Sequence, residues 1–233
     1  MQYFIAENLD MDYYSLSAEE SKHCVKVLRM GVGDELMLTD GMGTLCRAKI
    51  LTANPKECEV EIVERKHEEP KPYRLHLAVA PTKNTARIEW FVEKAVEIGV
   101  DRITLLICDH SEREKQNTER LQKIIDSAMK QSLKAYRPTL EGPIKILDFL
   151  AQADEACKMV CYCDGDERHT MHEVYRKGLD AVVLIGPEGD FSPKEISTAL
   201  ELGFQPVTLG SCRLRTETAA LYAVTAVNYE NEN

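Results

Sequence analysis

The sequence predicts an α/β protein in which a small β-rich domain precedes a larger domain with a mostly parallel sheet. After residue 73, short apolar segments alternate with helical stretches, which is the order of βαβ units. Before residue 70, the apolar segments alternate with polar residues and are separated by glycine-containing turns. A charged, proline-bearing stretch, EEPKP (68–72), lies between these two patterns. We therefore expect two domains, residues 1–70 and residues 73–233.

The first domain is expected to be a small β-barrel. Apolar and polar residues alternate in LCRAKI (45–50) and CEVEIV (58–63), which is typical of strands with one buried face. The dipeptide Asp40-Gly41 precedes the first of these segments and favours a tight hairpin turn.

Strands of the second domain are predicted near residues 74–80, 103–108, 158–163, 181–185 and 206–209. The segment AVVLI (181–185) contains no polar residue and no alternation, so it is expected to lie buried in a parallel sheet. With helical stretches between the strands, the natural architecture is an open α/β sheet.

Two strand-to-helix turns are the most informative segments, LIGPEGDFSPKEI (184–196) and LGSCRLRTETAALYAV (209–224). After the first turn, Ser192, Pro193 and Glu195 have the spacing of a capping box with proline at the first helical position. Open α/β sheets bind ligands beyond the carboxyl ends of their strands, so the two turns together outline a pocket. Such turns also occur without a ligand, and spacing alone leaves both possibilities open.

The missing motifs narrow the class of ligand. The chain has no G-x-x-x-x-G-K-[ST] and no G-x-G-x-x-G, and Leu209 stands about twenty residues after Gly189, where a dinucleotide site needs an acid. These absences exclude a P-loop and a nicotinamide-dependent oxidoreductase. An adenosine-like ligand without a phosphate chain fits such a turn.

The net charge of −10 argues against a general nucleic-acid binder. Only residues 83–137 are net basic, with 11 Lys and Arg against 9 Asp and Glu. Within them, Lys130, Lys134 and Arg137 recur at i, i+4 and i+7, which predicts a basic stripe on one side of a helix. The stripe could follow an RNA backbone or could simply be a solvated helix surface.

The chain has no apolar run long enough for a membrane span and no basic, then apolar, amino terminus, so we expect a cytoplasmic protein. No C-x-x-C pair occurs, which favours buried free thiols over a zinc site, and Cys161 and Cys163 are predicted on one face of a strand. His169 and His172 lack companion ligands, so no metal is expected. The eight cysteines are at positions 24, 46, 58, 108, 157, 161, 163 and 212.

The segments GPEGDFS (186–192) and LGSCRLRTETAAL (209–221) resemble the paired cofactor loops of the SPOUT methyltransferases. More specifically, they resemble the loops of the bacterial 16S ribosomal RNA uridine N3-methyltransferase family. Lys83 with the helix at 88–103, the segment SAMKQSLKAYRP (127–138) and the pattern of the first seventy residues are also similar to that family.

This resemblance implies a PUA-like RNA-binding barrel followed by a SPOUT fold with a C-terminal trefoil knot. It implies S-adenosylmethionine as the cofactor and methylation of N3 of a uridine, uridine 1498 of 16S ribosomal RNA. The expected partners are 16S ribosomal RNA or the 30S subunit, and a second copy in a homodimer. The apolar face of residues 221–227 is expected either at that dimer contact or in the core.

The resemblance also assigns site residues. Arg215 is expected to stabilise the developing uracil anion or a phosphate, and Glu217 to accept the N3 proton. Their alternatives are a surface arginine or a salt bridge between the two, and a first-turn acid favoured by the helix dipole. Met171 or the turn after Cys163 is expected to complete the pocket. The expected cofactor-binding residues are Leu184, Gly186, Pro187, Glu188, Gly189, Leu209, Ser211, Leu214 and Thr218, and the expected RNA-binding residues are Lys83, Lys130, Lys134 and Arg137.

Two positions depart from the family pattern. Asp190 stands where a second glycine is common, and its charge could favour the sulfonium or accept a hydrogen bond in the turn. Lys134 stands where arginine is usual, which keeps the charge but loses bidentate geometry. Asp190 leaves open an alternative function, a catalytically inactive RNA-binding factor of ribosome assembly.

Overall fold

The computed structural model describes residues 3–163 and 169–232 of the chain. It consists of two compact units. The first comprises Met1–Pro70 together with Asp126–Arg137, and the second comprises Lys71–Ile125 together with Pro138–Asn233.

The first unit is built on a curled five-stranded sheet with the order β1-β3-β4-β5-β2. Strands β1 and β3 are parallel, and the remaining neighbours are antiparallel. A short helix, α1 (Ala18–Lys22), continues into a π-helical turn (His23–Val27) before β3. The strands are β1 (Tyr3–Ile5), β2 (Tyr13–Ser15), β3 (Glu35–Thr39), β4 (Thr44–Thr52) and β5 (Glu59–His67).

The predicted hairpin is confirmed between β3 and β4. The Asp40 carboxylate accepts hydrogen bonds from the backbone N–H groups of Met42 (2.7 Å) and Thr44 (3.0 Å), which closes the turn. Gly41 and Gly43 have φ values of 72° and 104°, the left-handed region that glycine adopts without steric cost. The alternation in β4 places Cys46, Ala48 and Ile50 in the core of this unit.

The second unit contains a seven-stranded sheet with the order β10-β12-β9-β11-β6-β7-β8, in which all neighbours are parallel. Its strands are β6 (Leu75–Val79), β7 (Arg102–Ile107), β8 (Thr139–Lys145), β9 (Cys157–Cys161), β10 (His169–Thr170), β11 (Ala181–Ile185) and β12 (Gln205–Thr208). The further helices of the chain are α2 (Thr85–Ile98), α3 (Thr118–Gln131), α4 (Ile146–Leu150), α5 (Met171–Val174), α6 (Pro193–Glu201) and α7 (Thr216–Glu232).

Strand β11 lies inside this sheet and is buried along its whole length, as its apolar sequence predicts. Leu184 belongs to a core cluster that includes Phe149 of α4 and Ala199 of α6. Because side chains alternate along a strand, Val183 and Ile185 point to the opposite face. Helix α7 packs against β11, β6 and α2. The sheet is therefore covered by helices, which explains its continuous apolar sequence.

Two sequence expectations need correction. Strands β8 and β10 were not anticipated, because Gly142 and Pro143 look like turn residues and β10 has only two residues. Cys163 does not share a strand face with Cys161, since β9 ends at Cys161.

Among the described residues, no helix combines the length and the apolar character that crossing a membrane requires.

The predicted basic stripe is also wrong. Helix α3 ends at Gln131, and Leu133 adopts a left-handed conformation with φ of 57°. Lys134 and Arg137 therefore lie beyond the helix rather than on successive turns of it. Within the first unit, the Arg137 guanidinium binds both oxygens of Asp126 at 2.7 and 2.6 Å, and Lys130 binds Glu20 at 2.7 Å.

Candidate active site

Loop 1 (residues 186–190, GPEGD) connects β11 to α6. The predicted capping box is confirmed at its end, where the Ser192 hydroxyl accepts from the Glu195 N–H and the Glu195 carboxylate accepts from the Ser192 N–H at 2.7 Å. Pro193 occupies the first turn of α6. The capping box fixes the direction in which the chain leaves loop 1.

A second anchor for loop 1 comes from the residues that follow β7. The Nδ1 atom of His110 lies 3.0 Å from the carbonyl oxygens of both Gly189 and Asp190, to which it donates a shared hydrogen bond. Next to it, the Asp109 N–H donates to Glu195 at 2.8 Å, and the Asp109 carboxylate accepts from the Ser192 hydroxyl at 2.6 Å. These contacts tie the end of β7 to the end of loop 1 and to the start of α6.

Two glycines of loop 1 fit tightly against neighbouring side chains. A Cβ atom on Gly189 would lie 3.0 Å from the Cβ of His110, and one on Gly186 would lie 3.2 Å from the Phe191 ring. Both distances are shorter than ordinary contacts, so a larger residue would force its neighbour to shift by a few tenths of an ångström.

Asp190 holds the backbone around loop 1 with both carboxylate oxygens. One oxygen accepts from the Cys163 N–H at 2.7 Å, just after β9, and the other accepts from the Phe191 N–H at 2.8 Å. Its φ of 63° is left-handed, which accounts for glycine as the common residue there. The Asp190 carboxylate could favour the sulfonium or accept hydrogen bonds in the turn, and the structure shows the hydrogen bonds.

Loop 2 (residues 209–215, LGSCRLR) connects β12 to α7. In the sheet β9 lies between β11 and β12, so loops 1 and 2 do not follow neighbouring strands. Loop 1 nevertheless contacts the residue that follows loop 2, because the buried hydroxyl of Thr216, the first residue of α7, donates to the Gly186 carbonyl at 3.1 Å. The turn after Cys163, at the end of β9, covers residues 164–168 and lies outside the described residues.

Loop 2 offers unpaired backbone groups. Among the described residues, the backbone N–H groups of residues 211–215 have no hydrogen-bond partner. A Cβ atom on Gly210 would meet nothing within 4 Å, so the backbone there is open to a ligand. Leu209 and Leu214 are half-buried, whereas Ser211 and Thr218 are exposed.

The predicted loop 1 residues differ in their accessibility. Leu184 and Pro187 are buried, and the Leu184 side chain belongs to the core. Glu188 is exposed, and its carboxylate accepts from the Lys83 N–H at 3.3 Å. The Lys83 ammonium group binds Glu112 at 2.8 Å, and this hydrogen bond raises the pKa of Lys83.

Glu217 is the buried acid of the site. It lies in the first turn of α7, and its side chain is 9% exposed. One carboxylate oxygen lies 3.6 Å from Nε of Arg87 on α2, while Oε2 is buried and has no hydrogen-bond partner among the described residues. Arg87 was not anticipated from the sequence. A buried acceptor without a donor is costly, so Oε2 is suited to receive a donor from a bound molecule.

Arg215 precedes Glu217 at the end of loop 2. It is exposed and makes no ion pair with Glu217, whose cationic partner is Arg87 instead. The side chain of Arg215 is therefore available to an anionic ligand.

A cavity of about 390 Å³ borders loop 2. Of the predicted cofactor residues only Leu209 lines it, beside Gly210, and Met171 contributes from α5. Its opposite wall is a face of α7 with exposed Tyr222 and Tyr229. The remaining lining residues are Thr170, His172, Tyr175, Thr208, Thr225, Ala226, Val227 and Glu230.

Neither histidine considered as a metal ligand belongs to a metal-binding group. His172 forms an ion pair with Glu230 at 2.8 Å, and His169 lies exposed on β10. Within the described part of the chain, no group of three or more His, Cys, Asp or Glu side chains is arranged to bind a metal.

Comparison with known families assigns both parts of the chain. An RNA methyltransferase domain family matches residues 69–228, which include loops 1 and 2, Arg87 and Glu217. An RNA methyltransferase PUA domain family matches residues 16–63. Ribosomal RNA small subunit methyltransferase E of Rickettsia conorii is 30% identical, over 96% of this chain and 91% of its own length. The chain belongs to the ribosomal RNA small subunit methyltransferase E family.

Solved structures agree with this assignment. A probable rRNA-methyltransferase from Porphyromonas gingivalis superimposes with a TM-score of 0.93 and 41% identity, covering 100% of this chain and 99% of that one. Ribosomal RNA small subunit methyltransferase E from Neisseria gonorrhoeae, bound to S-adenosyl methionine, gives a TM-score of 0.90 and 26% identity, covering 99% and 98%. In this methyltransferase family member, loops 1 and 2 and Glu217 therefore form the candidate active site.

Proposed function

We propose that this protein uses S-adenosylmethionine to methylate N3 of a uridine in 16S ribosomal RNA. The observation that carries the proposal is the Glu217 carboxylate, which is buried beside loop 2 and keeps one oxygen free of hydrogen bonds among the described residues. Uridine N3–H is a donor that this oxygen could accept. The Neisseria gonorrhoeae relative, bound to S-adenosyl methionine, supports the choice of cofactor.

The residues of loop 2 suit an adenosine-type ligand. Unpaired backbone N–H groups can donate to adenine, and the half-buried Leu209 and Leu214 offer apolar contact. The open backbone at Gly210 allows close approach. The hydrogen bond from the Thr216 hydroxyl to the Gly186 carbonyl joins loop 1 to the residue that follows loop 2. We propose that the predicted cofactor-binding residues form this site and that loop 2 contacts the cofactor directly.

When bound, S-adenosylmethionine supplies a methyl group on a positively charged sulfur. Glu217 would accept the proton from uridine N3, which would leave the nitrogen lone pair free to receive that methyl group. Arg87 compensates the Glu217 charge before proton transfer. Arg215 is free to stabilise negative charge on the uracil or on a neighbouring phosphate.

The same proposal covers the partners and the location. The substrate is 16S ribosomal RNA or the 30S subunit, which the protein meets in the cytoplasm. The domain division at about residue 70 and the trefoil knot are proposed from the family resemblance.

Helix α7 has a buried and an exposed face. Ala223, Val224 and Val227 are buried in the core, whereas Tyr222 and Tyr229 on the outer face are exposed. We therefore assign the homodimer contact to this outer face.

The decisive experiment combines calorimetry with methyl transfer. The full chain is titrated with S-adenosylmethionine and then incubated with labelled cofactor and either naked 16S ribosomal RNA or 30S particles. Mass spectrometry then locates the modified base. Binding followed by label on uridine N3 is expected. Absence of cofactor binding by the folded protein would favour the inactive assembly factor, and label on another base would overturn the uridine assignment.

A further inference from the structure

Two exposed cysteines follow neighbouring strands at the candidate active site. Cys163 comes shortly after the end of β9, and Cys212 belongs to loop 2, which follows β12. The other cysteines of the chain are buried or half-buried. The proposed methyl transfer uses neither of the two exposed thiols, so both are available for another role.

Loop 2 crosses the carboxyl end of β9. Strands β12, β9 and β11 are neighbours in that order and run parallel, so their carboxyl ends lie at one edge of the sheet. Loop 2 leaves β12 after Thr208, and Thr216, which follows the loop, donates to the carbonyl of Gly186, the first residue after β11. The chain therefore passes from one side of β9 to the other. Cys212 is the middle residue of loop 2 and lies at the midpoint of this crossing.

Loop 2 is longer than the crossing requires. Two strand spacings amount to about 10 Å. The seven residues of the loop reach roughly 23 Å when they are extended. Within the described part of the chain, residues 211–215 donate no backbone hydrogen bond that would hold the loop to the sheet. The middle of loop 2 therefore has slack above the end of β9.

Cys163 is held in place by loop 1. Its N–H donates to the Asp190 carboxylate at 2.7 Å, and the other oxygen of that carboxylate accepts from the Phe191 N–H at 2.8 Å. The His110 ring fixes the Asp190 carbonyl at 3.0 Å. One cysteine is thus anchored at the end of β9, and the other lies on the slack loop that crosses it.

The strand spacing suits a disulfide between these residues. A disulfide requires Cα atoms about 4.4–6.8 Å apart. Strands β9 and β12 pair directly, with Cys161 opposite Val207, and paired strands lie about 4.8 Å apart. Because Cys212 lies at the middle of a slack loop, it can reach Cys163 without a movement of either strand.

We propose that Cys163 and Cys212 form a reversible disulfide that closes the cofactor site under oxidising conditions. With hydrogen peroxide as the oxidant, one thiolate attacks the O–O bond, which gives a sulfenic acid and a hydroxide ion. The second thiolate attacks the sulfenic sulfur, forms the S–S bond and releases a second hydroxide. The two sulfurs lose two electrons, the peroxide gains two, and the two thiol protons convert the hydroxides to water.

The disulfide should compete with S-adenosylmethionine. It holds the middle of loop 2 within about 7 Å of the end of β9, measured between Cα atoms. The backbone of loop 2 is the surface that we propose to contact the cofactor, so the two states of the loop differ in their affinity for it. Oxidation should lower this affinity about tenfold, a usual size for coupling between two sites. This inference rests on the proposed function for the identity of the ligand.

The test oxidises the full chain with hydrogen peroxide and then measures binding of S-adenosylmethionine by calorimetry. Mass spectrometry should find the peptides of Cys163 and Cys212 joined, with the loss of two hydrogen atoms. The affinity should fall about tenfold and recover after reduction with dithiothreitol. A crosslink from Cys212 to Cys161 in place of Cys163 would overturn the assignment.

Serine variants separate this disulfide from other oxidation. Cys163→Ser and Cys212→Ser should each lose the crosslink and keep their cofactor affinity in peroxide. Cys161→Ser is the matched control, since Cys161 ends the same strand, and it should behave like the wild type. An equal loss of affinity in peroxide for the wild type and for Cys163→Ser with Cys212→Ser would overturn the proposal. Thermal unfolding verifies that each variant is folded.

Linkage provides an independent measurement. If oxidation weakens cofactor binding tenfold, saturating S-adenosylmethionine must favour the reduced thiols by the same factor. In glutathione buffers, the reduction potential of the pair should therefore rise by about 30 mV with the cofactor, which is a tenfold factor for two electrons. A potential that does not change with the cofactor would contradict the proposed closure.

The outcomes distinguish this inference from the proposed function. A protein that forms the disulfide, but binds no S-adenosylmethionine and methylates no RNA in either state, would refute the proposed function and preserve the disulfide. A reduced protein that binds the cofactor and methylates, but forms no crosslink in peroxide, would refute the disulfide and preserve the function. Equal cofactor affinity of the crosslinked and reduced forms would refute the closure of the site.

Discussion

Arg87 and Glu217 form an ion pair across the interface between α2 and α7, with Nε of the guanidinium 3.6 Å from one carboxylate oxygen. The carboxylate is nearly buried, and its second oxygen has no donor among the described residues. The Arg87 guanidinium approaches only one of the two oxygens, so it compensates the charge without occupying both. The pair therefore keeps an unpaired carboxylate oxygen beside loop 2, where we propose that the uridine N3 proton is removed.

Replacing Glu217 by glutamine should abolish most of the activity. The amide has nearly the same shape but cannot accept the N3 proton, so kcat should fall about 10²- to 10⁴-fold. The affinity for S-adenosylmethionine should stay within about twofold, because the change affects transition-state stabilisation rather than ground-state binding. Glu201→Gln, at the exposed end of α6, serves as the control. Unchanged turnover of Glu217→Gln across pH would remove Glu217 as the base.

Arg87→Ala should impair both activity and stability. A buried carboxylate without its cation is costly, and with a partly exposed arginine the loss should be about 1–2 kcal/mol of unfolding free energy. Turnover should fall about tenfold, and Arg87→Lys should restore most of it because lysine keeps the charge. Urea unfolding and steady-state kinetics measure the two effects. Arg120→Ala is the control, because Arg120 pairs with Glu89 nearer the surface and should matter little to either quantity.

Much of the second unit could be predicted from local pattern. The buried strand β11 follows from five apolar residues without alternation, and the start of α6 follows from Ser192, Pro193 and Glu195. Strand β8 could not be predicted in this way, because Gly142 and Pro143 are turn formers and the neighbouring strand β7 supplies the pairing. Tertiary pairing overrides local propensity there.

The end of α3 shows a different limit. Its amphipathic pattern continues to Arg137, but the helix ends at Gln131 with a left-handed Leu133 and a hydrogen bond from the Lys134 N–H to the Met129 carbonyl at 3.1 Å. This is the hydrogen bond of a glycine-type helix cap formed without glycine, so the sequence contained no stop signal. The predicted basic stripe does not form because α3 ends before Lys134 and Arg137.

The two loops of the candidate site could be predicted from the sequence, but the contacts that other side chains make with them could not. Family resemblance predicts Glu217 and the residues of loops 1 and 2 as site residues, whereas Arg87 and His110 reach them from distant parts of the sequence. No spacing rule connects such residues before the sheet order is known.

Asp190 allows a test of charge against hydrogen bonding near the cofactor. Asn tolerates left-handed φ and keeps one acceptor, so Asp190→Asn should cost at most about 1 kcal/mol of stability. Asp190→Ala should cost about 2–3 kcal/mol, because it loses both acceptors and is strained at φ of 63°. Calorimetry with S-adenosylmethionine should give similar affinities for the wild type and Asp190→Asn. A tenfold weaker affinity at unchanged stability would instead show that the charge acts on the sulfonium.

His110 should act as a positioning residue for loop 1. Removing its shared hydrogen bond to Gly189 and Asp190 costs about 1 kcal/mol locally, so His110→Ala should weaken S-adenosylmethionine binding about fivefold. His67→Ala, at the end of β5, is the control. An unchanged affinity for His110→Ala would show that loop 1 holds its shape without this contact.

The cysteines provide a chemical probe of loop 2. Burial raises the pKa of Cys24 to about 12, and burial likewise raises the pKa values of Cys108 and Cys161. A raised pKa keeps a thiol protonated, and the thiolate is the reactive form, so these groups should react slowly at about pH 8.

Cys163 and Cys212 are the exposed cysteines, and Cys212 lies within loop 2. A thiol reagent should therefore titrate two groups rapidly in the native protein, and Cys163→Ser with Cys212→Ser should remove that fast phase. Because loop 2 is proposed to contact the cofactor, S-adenosylmethionine should slow the reaction of Cys212 in the Cys163→Ser variant. Rapid titration of more than two groups would contradict the burial of the others. Labelling of Cys212 at the same rate with saturating cofactor would place the cofactor away from loop 2.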